Sequence, residues 1–203
     1  VVGALGAYRQ YSGWDYLATT GALVTLSIPT FWFGLMVIFL FAEQLGWIPS
    51  GGDRTLGRGG GGLLDRLHHL LAPALVLGLV LTAQWSRYFR TSLLETKNQE
   101  YVRTAHAKGL PQPVVLRRHV LRNAILPLIA LAGVQLPAVF SGALVAESIF
   151  GWAGMGRLFL DALTYRDYPV LMAMLMITAF LVVVGNLLAD VALGLADPRI
   201  RAR

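Results

Sequence analysis

Side chains that could take part in chemistry are concentrated near the middle of the chain. Residues 100–127, EYVRTAHAKGLPQPVVLRRHVLRNAILP, hold four Arg, one Lys, one Glu and two His. Such a charged, helix-like stretch is costly to insert into lipid. It suits either a helix that lies among lipid headgroups or a surface that docks into a partner protein. Apolar runs flank it on both sides, so those runs must position it.

Two other motifs resemble a metal site and a phosphate-binding loop, but neither matches the pattern that such a site needs. His68 and His69 are adjacent, so on a helix they point about 100° apart, whereas metal ligands share one face. The run GRGGGG at residues 57–62 lacks the GK[ST] ending of a phosphate loop. The chain has no Cys, which excludes disulfides and thiolate metal sites. We therefore predict no metal site, no bound cofactor and no catalytic residue.

The elements around the charged stretch are apolar and long. The 203 residues are 56% hydrophobic and only 14% charged, with a mean hydropathy of +0.60. Four runs approach the roughly 20 residues that a membrane-spanning helix needs; they lie at about 17–41, 70–86, 124–146 and 169–189. Residues 1–8 read as the end of a further apolar helix whose beginning is absent. The sequence therefore predicts an all-α polytopic membrane protein with four full spans plus the end of a truncated preceding span.

Positive charge is divided unequally between the two sides of these spans. Segments 8–16, 87–122 and 197–203 carry 12 Arg and Lys, and segments 46–68 and 147–168 carry 5. The positive-inside rule makes the first set cytoplasmic, including the charged stretch and the C-terminus. Because the basic residues report topology, no nucleic-acid partner is expected.

The charged stretch itself predicts two short helices joined by a bend. Helix formers run to Gly109, a natural C-terminal stop, and Pro111 and Pro113 suit the first turn of a second helix. Gly109 is expected to need a positive φ, which glycine adopts without a Cβ clash. The two helices would form a compact knob.

This pattern resembles the cytoplasmic EAA loop of permease subunits of ABC importers, in which three residues separate EAA from a Gly. Arg103, Thr104 and Ala105 occupy the EAA positions before Gly109. Arg103 replaces the motif Glu, so contacts attributed to that Glu do not carry over. Further stretches resemble the peptide/nickel type of this family, namely YSGWDYL, SIPTFWFGL, LGWIPSGG, AESIFGWAGMGRL, RDYPVL and ADPRIR.

The resemblance implies a MetI-like permease core over residues 1–203, with a coupling-helix loop at 99–122. Such a subunit lies in the bacterial inner membrane and pairs with a second permease. Two cytoplasmic ATPases supply ATP and Mg, and an extracytoplasmic binding protein delivers cargo. The ATPase-coupling residues would be Glu100, Tyr101, Arg103, Thr104, Ala105, Ala107, Lys108, Gly109 and Leu110. Ala105 and Ala107 would allow close approach, although plain helix propensity explains them equally well.

Polar residues within spans often face a cavity or another helix. Those that could line the translocation path are Gln84, Gln135, Ser141 and Asn186. Small polar residues also serve helix packing, which remains the alternative. Glu147, at the end of the third run, is either an interfacial carboxylate or a gate residue. Gly151, Gly154 and Gly156 would let the following chain turn closely.

The resemblance is compatible with more than one class of cargo. Di- or oligopeptides are the first choice, and nickel chelates or glutathione-like peptides are alternatives within the same type. An ion-coupled secondary transporter would want a carboxylate near a span centre, and none of the four runs has one. The chain itself would not be an enzyme, because it has no Walker motif.

Overall fold

The computed structural model describes residues 3, 6, 10–57, 60–140 and 143–196, with only the backbone for 136–140. No strand occurs among them, which confirms the all-α prediction. The helices in chain order are α1 (Gly13–Ser27), α2 (Thr30–Val37), π1 (Ile38–Gln44), α3 (Leu63–Lys97), α4 (Glu100–Ala107), α5 (Gln112–Val115), π2 (Leu116–Leu121), α6 (Arg122–Ala124), α7 (Leu126–Phe140), α8 (Leu144–Phe150), α9 (Met155–Tyr165) and α10 (Tyr168–Ala196).

The prediction of four full spans is not confirmed as made. Among the residues that the structure describes, two helices, α3 and α10, are long and apolar enough to cross a membrane. The bent pair formed by Gly13–Ser27 and Thr30–Gln44 adds a third if it is one span. The break falls at Pro29, within the predicted 17–41 span. Proline disfavours helix in the residue before it, here Ile28, and α1 accordingly ends at Ser27. The predicted 124–146 span contains the 15-residue α7, which ends at Phe140.

Proline inside a long helix does not always break it. Pro73 lies within α3, which is 35 residues long and continues past this proline to Lys97. A proline in an apolar membrane helix is tolerated when neighbours satisfy the freed carbonyl. The predicted 70–86 run is therefore only the middle of a longer helix, and the 169–189 run is likewise contained in α10.

The chain divides into two compact units. Unit 1 comprises Val1–Val24, Thr82–Leu136 and Val182–Arg203, and unit 2 comprises Thr25–Leu81 and Pro137–Leu181. The apolar core of unit 1 consists of Leu93, Val102, Ala105, Val115, Val120 and Ala124. The core of unit 2 is built on Ala72, Val76 and Phe150, against which Phe33 and Ile149 pack.

Candidate functional site

The predicted bend at Gly109 is present, and its hydrogen bonds define its geometry. α4 ends at Ala107, and Gly109 has a φ of +76°. Gly109 N donates to the carbonyl of His106 at 2.9 Å, and Leu110 N donates to that of Ala105 at 3.4 Å. These two bonds form a Schellman motif, which satisfies carbonyls at the helix end. The expected positive φ is confirmed.

The second helix begins where the prolines predicted it. Pro111 precedes α5 in an extended conformation, and Pro113 lies in the first turn. The missing N–H of a proline costs nothing there, because first-turn N–H groups have no intrahelical partner. Residues 99–122, from here on the central segment, thus contain two helices that reverse over residues 108–111.

Most of the second helix is wound more widely than an α-helix. Residues Leu116–Leu121 form π2, with hydrogen bonds to the fifth residue along the chain. Val115 and Val120, five residues apart, are both buried in the unit 1 core. In an α-helix, five residues turn through about 500°, so these two side chains would point about 140° apart. The π winding brings both side chains into the core, and no pattern in the sequence signals it.

An apolar core lies directly under the central segment. Val102 and Val115 are each 1% exposed, and Ala105 is 6% exposed. Ser92 of α3 donates a buried hydrogen bond of 2.8 Å to the carbonyl of Ala124, which ties the end of the segment to α3. Burying a valine side chain stabilises by roughly 1.5–3 kcal/mol. The segment is therefore packed as a stiff body rather than as a solvated loop.

Eight of the nine predicted coupling residues are exposed on the central segment. The exception is Ala105, whose methyl group packs into the core of its own chain. Its small side chain thus serves packing beneath the segment. Ala107 remains on the surface, together with Arg103 and Lys108.

A groove runs beside the exposed residues, and we call it the basic groove. Its volume is about 710 Å³. It is lined by Tyr101, Thr104, Ala105, Lys108, Leu110, Arg118, His119, Arg122, Asn123 and Ala196. Five of these residues belong to the predicted coupling set, so the structure gathers that part of the set around one concave surface.

The predicted path residues that the structure describes differ in their surroundings. Gln135 accepts a hydrogen bond of 2.6 Å from the indole Nε1 of Trp85. Gln84 is half-buried, and Asn186 is exposed on α10. Ser141 lies outside the described residues. Gln135 therefore has a partner within unit 1, which favours the packing alternative for this residue.

Glu147 holds two helix starts in unit 2. Its carboxylate accepts hydrogen bonds of 3.0 Å from the backbone N–H of Ala143 and from that of Arg157. Ala143 immediately precedes α8, and Arg157 lies in the first turn of α9; N–H groups at helix starts have no intrahelical partner. The guanidinium of Arg157 in turn donates to the carbonyl of Gly151 at 2.9 Å. The structure thus gives Glu147 a capping role that neither sequence-based alternative named.

The glycines that follow Glu147 allow the close turns expected of them. Gly151 has a φ of +60° and ends α8. A Cβ on Gly154 would overlap the Glu147 carboxylate, and one on Gly156 would lie 2.7 Å from the backbone N of Leu144. We call residues 143–166 the glycine segment.

Sequence reasoning missed a buried ion pair in unit 1. Asp15 is 3% exposed, and both carboxylate oxygens accept from Arg90, at 2.7 and 2.8 Å. Tyr11 N donates to the same carboxylate at 3.1 Å. Arg90 had been counted only as a topology charge. The available signal was Asp15 itself, a carboxylate at the start of an apolar run.

The two adjacent histidines bond to the backbone in different directions. His68 Nε2 lies 2.9 Å from the carbonyl of Trp47, and His69 Nδ1 lies 2.9 Å from that of Asp65. Asp65 also accepts hydrogen bonds from Thr55 and Gly61, which closes the loop before α3. Within the described ranges, no three His, Asp or Glu side chains are grouped to hold a metal ion.

Comparison with known proteins assigns the family. The family described as binding-protein-dependent transport system inner membrane component matches residues 1–202. The chain belongs to this family. The resemblance carried by the central segment and its flanking motifs is thereby confirmed, and the chain is an inner-membrane component by family description.

Several curated relatives of this chain are named as peptide permeases. The oligopeptide transport system permease protein AppB of Bacillus subtilis is 48% identical over 198 residues, which are 98% of this chain and 62% of the relative. The di/tripeptide permease protein DppB of Pseudomonas aeruginosa is 38% identical over 218 residues, or 99% and 65%. The dipeptide permease protein DppB of Escherichia coli is 36% identical over 220 residues, or 98% and 65%. The chain thus spans somewhat less than two thirds of these relatives.

Proposed function

We propose that this chain forms part of the membrane permease of an ATP-driven importer of di- or oligopeptides. The observation that carries the proposal is the stiff, exposed central segment, in which eight of the predicted coupling residues stand on a bend that rests on an apolar core. The permease names of the relatives support it, and their peptide cargo favours peptides over nickel or glutathione.

The proposed mechanism is mechanical. Two cytoplasmic ATPases bind and hydrolyse ATP with Mg, and this chain contributes no catalytic group. Closure of the ATPase pair pushes the central segment as a rigid body, because its buried valines leave it few internal freedoms. The movement passes into α3 through the Ser92–Ala124 hydrogen bond and the shared core. Spans of this chain and of a second permease subunit then alternate between two states.

Membership of the family supports the remaining parts of the proposed assembly. Residues 1–203 form one permease domain, and 99–122 form its coupling loop. An extracytoplasmic binding protein delivers the peptide. The 12-to-5 charge asymmetry supports a cytoplasmic position for the central segment and the C-terminus.

Replacement of Gly109 tests the coupling role. No atom lies within 4 Å of the position that a Cβ would occupy, so a substitution there introduces backbone strain and no clash. Gly109→Val is expected to cost about 1–2 kcal/mol in the left-handed conformation and to abolish most transport. Gly109→Asn is the matched control, because asparagine tolerates this conformation.

The measurement is cargo-stimulated ATP hydrolysis by the reconstituted full-length complex, with ATPase pull-down beside it. We expect near-wild-type values for Gly109→Asn and loss of stimulation or binding for Gly109→Val, with membrane insertion intact in both. Wild-type stimulation and binding in the Val variant would refute the coupling role of the bend.

A further inference from the structure

The basic groove concentrates positive charge without a counter-charge. Lys108, Arg118 and Arg122 line it together with His119, and none of its ten lining residues is Asp or Glu. Like charges held in one concave surface repel one another and favour an anion. The groove is therefore suited to a negatively charged occupant.

The cations of the groove are not neutralised elsewhere in the described part of the chain. The three ion pairs found there are Arg54–Asp53, His69–Asp65 and Arg90–Asp15. Arg122 reaches only the carbonyl of Ala196, at 3.5 Å. The sequence after Ala196 has one Asp and three Arg, so it adds no net negative charge.

The groove lies where apolar helices meet charged chain. Ala196 is the last residue of α10, which is apolar enough to span a membrane. Asn123 lies three residues before α7, whose 15 residues include no charged side chain. Charged residues at the ends of such helices lie at the level of lipid headgroups, and basic pockets between helix ends bind anionic headgroups.

We propose that the basic groove binds the phosphate headgroup of an anionic phospholipid. The volume of about 710 Å³ falls within the range of small-molecule sites. Guanidinium groups of Arg118 and Arg122 would donate to the phosphate oxygens, as arginine does in bidentate phosphate contacts. The two arginines are not among the predicted coupling residues, although five other residues that line the groove are.

A lipid fits better than free phosphate because of the apolar helix that ends at the groove. Leu188, Val191 and Leu195 of α10 are each more than half exposed, on the helix that ends at the groove. Acyl chains would cover these side chains while the headgroup occupies the groove, and burial of apolar area adds about 25 cal/mol per Å². Free phosphate gains nothing from them.

The test compares two charge-matched double variants of the full-length permease. Native mass spectrometry measures retention of dioleoyl phosphatidylglycerol against dioleoyl phosphatidylcholine. Arg118→Gln with Arg122→Gln removes two groove cations. Arg87→Gln with Arg117→Gln removes two exposed cations of unit 1 that do not line the groove. All four side chains lie at the surface, so both variants should remain folded, which size-exclusion chromatography checks.

We expect the wild type to prefer phosphatidylglycerol. The groove variant should lose roughly tenfold to thirtyfold in affinity for this lipid, with phosphatidylcholine retention unchanged. The control variant should stay near wild type. Equal loss of phosphatidylglycerol affinity in both variants would mean that general charge attraction, and not the groove, binds the lipid. A wild type that does not prefer phosphatidylglycerol would also overturn the proposal.

Two further arms identify the occupant. Added inorganic phosphate should not displace the lipid, and full displacement would assign the groove to free phosphate instead. Bound lipid should persist when the ATPase subunits are added. Its complete release would mean that an acidic surface of the partner protein, rather than a lipid, fills the groove.

Discussion

The central segment and the glycine segment contain similar turns, but different contacts stabilise them. Each joins two short helices through a turn with a left-handed glycine, Gly109 in one and Gly151 in the other. The central segment rests on six buried apolar residues. The glycine segment also buries Phe150 in an apolar core, and it depends in addition on the Glu147 carboxylate and on glycines that touch backbone or carboxylate atoms.

The difference shows which perturbation each segment should resist. An apolar core is stabilised by area, so it responds most to a buried charge. A turn built on close approach has no room, so it responds to the addition of a single methyl group. The central segment is thereby suited to transmit force, and the glycine segment to hold a fixed backbone path.

The largest expected effect is a charge placed in the core of the central segment. Val102→Asp would bury an unpaired carboxylate and destabilise the segment by roughly 3–5 kcal/mol. Trypsin cleavage at Arg103 and Lys108 in the detergent-solubilised protein should accelerate on the order of a hundredfold or more. Val114→Asp is the matched control, since Val114 is 40% exposed and Val102 is 1% exposed.

The control should be cleaved at close to the wild-type rate. If Val102→Asp were cleaved no faster than Val114→Asp, the apolar core would not be what stabilises the central segment, and the contrast with the glycine segment would fail.

An intermediate effect is expected from one methyl group in the glycine segment. Gly156→Ala would bring a Cβ against the Leu144 backbone, which must shift at a cost of about 1–3 kcal/mol. Hydrogen exchange of α8 amides should quicken, while that of α4 amides stays unchanged. Gly62→Ala serves as control, because nothing lies within 4 Å of its Cβ position.

Unchanged exchange in α8 would show that the close approach at Gly156 relaxes freely. The comparison requires that the two segments be stabilised separately. Faster exchange in α4 as well as in α8 would show that they are not.

The smallest effect concerns a polar contact of unit 1 outside the apolar core. Gln135→Leu leaves the Trp85 indole N–H without its acceptor, and such contacts contribute about 0.6–1.7 kcal/mol in membrane proteins. The loss in thermal stability should be largely recovered in Trp85→Phe with Gln135→Leu. Transport should recover with it if Gln135 acts in packing.

Transport that stays low in the double variant, with stability restored, would return Gln135 to the translocation path. Gln84→Leu is the companion variant, because no hydrogen bond of the Gln84 side chain is found among the described residues.

Sequence predicted the features that depend on neighbouring residues. The bend at Gly109 and the helix start at Pro111 follow from the backbone preferences of those two residues, and both are present. Hydropathy located the apolar runs, but it averages over a window and does not register the break at Pro29 or the end of α7. Hydropathy therefore does not predict the exact number of spans.

Features that depend on distant residues were not predictable in this way. Ala105 is buried because α5 and π2 pack against α4, which no local pattern encodes. The wide winding of π2 accompanies the burial of Val115 and Val120 in one core, and no local pattern encodes it. Glu147 was recognised as notable, yet its role required knowing that the start of α9 lies beside it.

The Asp15–Arg90 pair also sets an order of events during synthesis. Asp15 is made 75 residues before Arg90, and at about 5–20 residues per second this separation is a wait of roughly 4–15 s. A carboxylate is costly to bury without a cation, so the start of α1 must stay hydrated during that interval. The start of α1 thus leaves the ribosome before Arg90, but it reaches its final environment only after Arg90 has been made.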